Sequence, residues 1–285
     1  MKVPKRLQSL LEDGLIDEVV CQLMSGKEAQ IYVVRCGELD RCAKVFKESN
    51  QRSFKQAVQY QEGRKGRNSR RSRAMSKKTR YGQREQEDAW LNAEVDALRC
   101  LAAAGVRVPQ PLGFVDGVLL MELVTDADGN VAPQLGEFDL SAEQARNFHS
   151  QIIREVVRML CAGLIHGDLS PFNVLVDGTG PVIIDLPQAV NASGNNSAEA
   201  MLERDVDNMR SFFSQFAPEL RNTNYAREIW ALFEAGELNP DTRLTGCFER
   251  DMADVEIGEL MAVIEDAREE EQQRQERARA HAEEG

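Results

Sequence analysis

Apolar and polar positions in the first third of the chain are arranged as they are in antiparallel strands. Glu18-Val19-Val20-Cys21-Gln22-Leu23-Met24 is a short apolar run, interrupted by Ser25-Gly26-Lys27-Glu28-Ala29. Gln30 to Cys36 is rich in β-branched residues, and after a turn at Gly37 to Asp40, Arg41 to Phe46 alternates as a third strand. Residues 48 to 86 then lose apolar periodicity; polar, basic and Gly/Ser-containing, they read as a mobile insertion. From Glu87 the spacing predicts a helix. Leu91, Val95, Leu98 and Leu101 recur on one face, Glu94 lies beside that stripe, and Gly105 is a stop. Pro111 to Val115 and Val118 to Glu122 flank Asp116-Gly117, a favoured hairpin turn. Five strands and one helix therefore make a small lobe.

The second half changes period. Thr125 to Glu137 is loop, and its Asp126 to Asn130 stretch resembles a calcium loop only weakly. Ser141 with Gln144 three residues on is a capping-box pattern, and Phe148, Ile152, Val156 and Leu160 form the buried stripe of a helix that ends at Gly163. The chain beyond Gly163 is expected to be mainly helical, with one exception: Val174-Leu175-Val176 and Val182-Ile183-Ile184 form a hairpin about Asp177 to Gly180. Residues 251 to 280 are helical by composition. The expected class is α+β, with a small lobe over 1–122 carrying the insertion, a helical lobe over 123–250 and an acidic helical tail over 251–285.

Composition adds limits. At 42% hydrophobic the 285 residues can bury a core. No apolar run approaches the roughly 20 residues needed to span a bilayer, so no membrane partner is expected. The N-terminus has no apolar signal segment, which makes the cytoplasm the expected compartment. Six cysteines are scattered with no Cys-x-x-Cys pair, an arrangement that argues for reduced thiols rather than a zinc site. The net charge of -12 is uneven: Arg64 to Arg80 holds nine Lys or Arg and no acid, whereas Glu249 to the end holds thirteen acids against five Arg.

The most informative stretch is Leu164-Ile165-His166-Gly167-Asp168-Leu169-Ser170-Pro171-Phe172-Asn173-Val174-Leu175, which carries the spacing His-x-Asp-x-x-x-x-Asn. Phosphoryl transfer needs an Asp to accept the acceptor hydroxyl's proton, and an Asn five residues later to hold a divalent ion against the phosphates. Asp185, at the end of the paired strand, can chelate the same ion. Lys44, on the third strand, can bind the α/β-phosphates, with Glu94 as its partner. Taken singly, each residue has a plainer reading: a turn Asp, a His166 that braces the loop through hydrogen bonds, an exposed strand Lys, a solvated helix Glu. The joint spacing, framed by two apolar strands, favours a phosphotransfer site.

Over residues 15 to 250 these features resemble the RIO family of atypical protein kinases. The loop Ser25-Gly26-Lys27-Glu28-Ala29 has one Gly in place of a Gly-x-Gly-x-x-Gly loop. The catalytic-loop segment reads His-Gly-Asp-Leu-Ser-Pro-Phe-Asn, and the metal segment reads Ile184-Asp185-Leu186-Pro187-Gln188. The segment Met121-Glu122-Leu123-Val124 resembles the hinge, and Glu203 to Asn208 also fits. The resemblance implies a two-lobed kinase-like α+β fold that uses ATP with Mg²⁺ or Mn²⁺. It implies Asp168 as proton acceptor, Asn173 and Asp185 as metal ligands, and Lys44 on the phosphates with Glu94 behind it. It implies the backbones of Glu122 and Val124 on adenine and Ser25 over the phosphates, with Lys27, Ala43, Met121 and Ile184 completing the nucleotide site. Some members of the family act as ATPases through a phospho-aspartate, which would be Asp185 here. The short stretch before the first strand resembles the shorter, bacterial-like type that lacks an N-terminal winged helix.

Three functions stay open on these residues. The first is a serine/threonine protein kinase with an unknown protein substrate. The second is a small-molecule kinase of the aminoglycoside or choline type, against which the Ser-Gly-Lys-Glu-Ala and Ile-Asp-Leu-Pro-Gln segments argue. The third is a nucleotide-gated factor that contacts RNA or the ribosome through the basic residues 64–80, whose cations attract phosphate without reading sequence.

Overall fold

The three expected strands at the start of the chain pair in sequence order, and the next hairpin closes the sheet. The computed structural model describes residues 3–47 and 80–248, with side chains in the second stretch from residue 92. Strands β1 (Glu18–Ser25), β2 (Ala29–Cys36), β3 (Leu39–Phe46), β4 (Pro111–Val115) and β5 (Val118–Glu122) form an antiparallel sheet in the order β1-β2-β3-β5-β4. The turn between β4 and β5 has Asp116 at φ 48° and Gly117 at φ 72°, the left-handed pair that a two-residue hairpin turn requires.

Alternation along β3 sends its side chains to two separate cores. Ala43 and Val45 join Tyr32, Val34, Val118 and Leu120 in a cluster capped by Leu7 and Leu10. Those two leucines come from helix α1 (Lys5–Glu12), an element that the apolar pattern did not predict. Its signal was present: Leu7, Leu10 and Leu11 stand at i, i+3 and i+4, over a stretch too short for the pattern to stand out. Phe46 faces the other way, into the main core with Val95, Leu98 and Leu101 of helix α2 (Arg80–Ala103).

The α2 helix starts seven residues before the expected Glu87, so 80–86 are helical rather than part of the insertion. Arg, Gln and Glu propagate a helix well, and residues 80–86 carry no apolar periodicity to read. The remainder of the insertion, 48–79, and the tail from 249 lie outside the described residues, as does the Leu91 side chain.

Helix α3 (Ala142–Cys161) has the expected capping box: Gln144 N–H donates to Ser141 Oγ at 3.2 Å and Ser141 N–H to Gln144 Oε1 at 3.0 Å. Ile152, Val156 and Leu160 are buried, and Phe148 packs against them half-buried. Helices α4 (Ala198–Phe213) and α5 (Tyr225–Glu234) complete the helical lobe. Strands β7 (Val174–Val176) and β8 (Pro181–Ile183) form the expected hairpin. A second, unexpected exception to helix is the two-residue pair of β6 (Leu164–Ile165) with β9 (Val190–Asn191); two residues are too few to show a period. Among the described residues no helix is long and apolar enough to cross a membrane.

The link from α2 to β4 is stitched to the helical lobe at one residue. Arg107 N–H donates to the buried Glu155 carboxylate at 2.9 Å, its carbonyl accepts Ile183 N–H at 2.8 Å, and its guanidinium binds Asp177 and Thr179. This fixes β8, and the residues just beyond it, against the end of α2.

One core group makes the helical lobe acid-sensitive. His149 is buried between Phe213 and Tyr225, with ring centroids 5.6 and 5.5 Å away, and its Nε2 has no hydrogen-bond partner. Burial lowers its pKa from 6.5 to about 4. The unfolded chain therefore takes up a proton that the folded chain refuses, so this stability is present above pH 6.5 and lost as pH falls toward 4. The full displacement is worth up to about 3 kcal/mol. Denaturant unfolding of wild type and His149→Leu at pH 7 and pH 5 is expected to show a smaller acid loss in the variant; equal losses would refute the assignment.

Candidate active site

Lys44 sits in β3 opposite Leu119 of β5, on the α2 side of the sheet. Its side chain is 10% exposed, and its Nζ lies 2.5 Å from Glu94 Oε1 on α2 and 2.7 Å from Asp185 Oδ1 beyond β8. The sequence pattern paired Lys44 with Glu94; the second carboxylate is added by the fold. Burial opposes the ammonium charge, but the two carboxylates outweigh it and raise the lysine pKa above its ordinary value. Burial would also raise the Asp185 carboxyl, yet Lys44 holds it below the usual range. Burial raises the Glu94 carboxyl, whose Oε2 has no hydrogen-bond partner.

Asp185 has φ 65°, a left-handed conformation that is costly for a residue with a side chain. It persists because both sides of it are held: Lys44 binds the carboxylate, and Ile184 N–H donates to Asn173 O at 3.0 Å. Asn173 Nδ2 donates in turn to Asp168 O at 2.8 Å. A continuous chain of bonds thus joins Asp168, Asn173, Asp185, Lys44 and Glu94. The Asp168 carboxylate is exposed and is not among the partners of the Lys44 cluster.

The loop beneath Asp168 is fastened from three sides. His166 is buried; its Nε2 lies 3.0 Å from Ile184 O, and Asp168 N–H approaches Nδ1 at 3.3 Å. A proton on Nε2 satisfies both contacts, and the ring braces the loop as expected. Gly167 has φ 81°, and a methyl group there would stand 2.6 Å from Gln188 O and Met201 Cε, so no other residue fits. From α4, the buried Asp205 accepts Gly167 N–H at 2.7 Å and Leu169 N–H at 2.9 Å. Arg204 binds Gly167 O, and Asn208 Nδ2 donates to Leu169 O at 3.0 Å.

No positioning role was read for Asp205 from the sequence. The available signal was an acid inside an apolar stripe, since Leu202, Asp205, Val206 and Met209 share one face of α4. Burial raises its carboxyl pKa. Asp205→Ala would strand two buried amides, at about 1–3 kcal/mol each. A lower Tm together with a reduced kcat is the expected result. Unchanged values in both would remove Asp205 from the site.

The other expected residues divide. Met121 and Ile184 line a cavity together with Lys44, Glu94, Leu98 and Asp185. Ser25 and Lys27 are exposed at the β1–β2 turn, which closes through Gly26 N–H to Ala29 O at 2.9 Å and is clasped by Lys47 Nζ on Gly26 O at 2.5 Å. Glu122 N–H donates to Gln110 O at 2.8 Å. The Val124 carbonyl accepts Ala132 N–H at 3.0 Å, while its own amide meets no acceptor among the described residues. Ala43 is a correction. Its side chain belongs to the cluster under α1, on the face away from Lys44. Strand alternation places Cys42, paired with Met121, and Phe46, whose ring lies 5.5 Å from Lys44 Nζ, on the face that Lys44 occupies.

The Asp126 carboxylate, in the stretch with a partial likeness to a calcium loop, accepts the amides of Asp128 and Asn130, both at 2.9 Å. Among the described residues no cluster of three or more His, Cys, Asp or Glu could hold a metal ion. Asn173 and Asp185 together supply one amide and one carboxylate, a smaller set.

Similarity to known proteins runs along the same segments. The RIO domain model matches residues 30–226. The RIO-type serine/threonine-protein kinase Rio1 of Haloferax volcanii is 32% identical over 209 residues, 73% of this chain and 67% of that protein. The protein of the same name from Methanocaldococcus jannaschii is 30% identical over 237 residues, 82% of this chain and 74% of that one. The human serine/threonine-protein kinase RIO1 is 31% identical over 209 residues, and the match spans 35% of its length.

Proposed function

The chain belongs to the RIO domain family of serine/threonine-protein kinases, and on that premise we propose that its cleft moves the γ-phosphoryl group of ATP to a protein hydroxyl, with Asp168 taking the hydroxyl proton. The observation that carries the reading is the approach of Lys44 Nζ to Asp185 Oδ1 at 2.7 Å, across 141 residues of sequence. A strand lysine and a loop carboxylate meet there without either being needed to fill a core.

The donors fit the groups such a reaction uses. The Asn173 amide oxygen and the ionised Asp185 carboxylate are hard oxygen ligands of the kind Mg²⁺ or Mn²⁺ takes in small number, with water and phosphate completing the shell. When bound, the divalent ion neutralises charge on the phosphates. Lys44, kept charged, holds the α/β-phosphates, and Glu94 fixes its direction. The Val124 amide and the Glu122 carbonyl are the hinge groups for adenine, between the apolar walls of Met121 and Ile184. Ser25 and Lys27 cover the phosphates from the β1–β2 turn. Asp168 accepts the proton as the new O–P bond forms and the bond to the leaving ADP oxygen breaks. The loop fastened by His166 and Asp205 keeps that carboxylate placed.

The test is incubation with γ-labelled ATP, Mg²⁺ or Mn²⁺ and cell extract. Label on serine or threonine of protein is expected. Label confined to dialysable product would identify a small-molecule kinase instead. Absence of both transfer and ATP hydrolysis in folded protein would overturn the reading.

A further inference from the structure

We propose that Phe172 is a specificity residue on the acceptor side: an aromatic platform that seats an apolar side chain of the protein substrate close to the hydroxyl being phosphorylated. The inference rests on Asp168 being the proton acceptor. Phe172 is 67% exposed, more than any other large apolar side chain among the described residues. The next in order, Leu39, Met24 and Leu112, all lie on the strands of the small lobe. Phe172 alone in that group stands on the loop that carries Asp168.

Its backbone is pinned. Pro171 opens a 3-10 turn that runs to Asn173, Asn173 N–H donates to Ser170 O at 2.9 Å, and Asn173 Nδ2 closes the loop onto Asp168 O. The ring is also supported from below. The ring edge lies beside Gly136, where an added methyl group would stand 3.7 Å from Phe172 Cε1 and from Pro171 Cβ, an ordinary van der Waals contact. The remainder of the ring meets solvent. A rigid aromatic with two torsions loses little freedom on contact, which makes it a good recognition surface.

Geometry restricts what can cover it. The acceptor hydroxyl must come within about 3 Å of the Asp168 carboxylate. Phe172 lies four positions after Asp168, a reach of at most about 14 Å even when extended; this loop is folded back on itself, with Asn173 Nδ2 on Asp168 O. The ring therefore lies within reach of residues up to about four positions from the Ser or Thr of an acceptor polypeptide bound at Asp168. The contact selects leucine, methionine or an aromatic residue there.

The test uses the full chain with a library of serine peptides varied at the four positions on each side. Wild type is expected to favour apolar residues at one or more of these positions by roughly 3- to 10-fold. Phe172→Ser should flatten that preference and raise the peptide KM, and Phe172→Tyr should keep it. Asp168-dependent transfer with the same profile in wild type and Phe172→Ser would overturn the role of Phe172 alone. Failure of every peptide to accept label in an Asp168-dependent way would overturn the reading of the site, and this inference with it.

Discussion

Asp168→Ala is expected to lower kcat for protein phosphorylation by roughly 10²–10⁴-fold while leaving the KM for ATP nearly unchanged. The asymmetry comes from where the group sits. The Asp168 carboxylate is exposed and takes no part in the Lys44, Glu94 and Asp185 cluster, so removing it leaves the proposed nucleotide contacts intact. What is lost is the proposed base, which takes the acceptor proton in the transition state. Steady-state kinetics against ATP and against protein substrate separate the two effects. A rise in the ATP KM with an unaltered kcat would place Asp168 in nucleotide binding and refute its assignment as the base. Asp168→Asn should behave like the alanine variant, because an amide keeps the shape and loses the basicity.

Lys44→Met should be both inactive and unstable. The side chain is 10% exposed and answers two carboxylates, one of them the buried Glu94. Removing one partner of a buried pair strands the other charge, at about 3–5 kcal/mol. Glu94 already has a pKa raised above 4.5, first by burial, and in the variant nothing opposes that rise. The folded variant then holds a proton that the unfolded chain releases above 4.5, so its stability increases as pH falls from 7 toward 5, the opposite of the His149 effect. Glu94→Gln in the same chain should recover much of the loss. Chemical denaturation of the four proteins as a double-mutant cycle measures the coupling; additive effects would refute a buried pair.

How much of this was readable beforehand depends on distance along the chain. The hairpin at Asp116-Gly117, the capping box at Ser141 and the helix face of Val95, Leu98 and Leu101 are local patterns, and each appears where expected. Helix α1 carried a local pattern too, but a short one. The first turns of α2 carried none that apolar spacing could reveal. The candidate site residues were legible as a spacing: His166, Asp168 and Asn173 within eight residues, and Asp185 one hairpin later. Ala43 was misplaced through its position next to Lys44 in sequence. In a strand, adjacent residues face opposite ways, and the face is assigned by what packs on each side.

Residue order alone determined the elements, their turns and the chemical inventory of the loop, because hydrogen bonding and apolar periodicity act over a few residues. Tertiary packing decided the rest. It chose which face of β3 meets α2, brought Lys44 to Asp185 as well as to Glu94, and set Asp205 under the Asp168 loop. Those contacts join segments 141, 50 and 38 residues apart. No periodicity carries information over such separations. Lys44–Asp185 crosses between the two lobes, while the other two form within a lobe; all three form because packing apolar faces together brings distant polar groups side by side, where they must find partners.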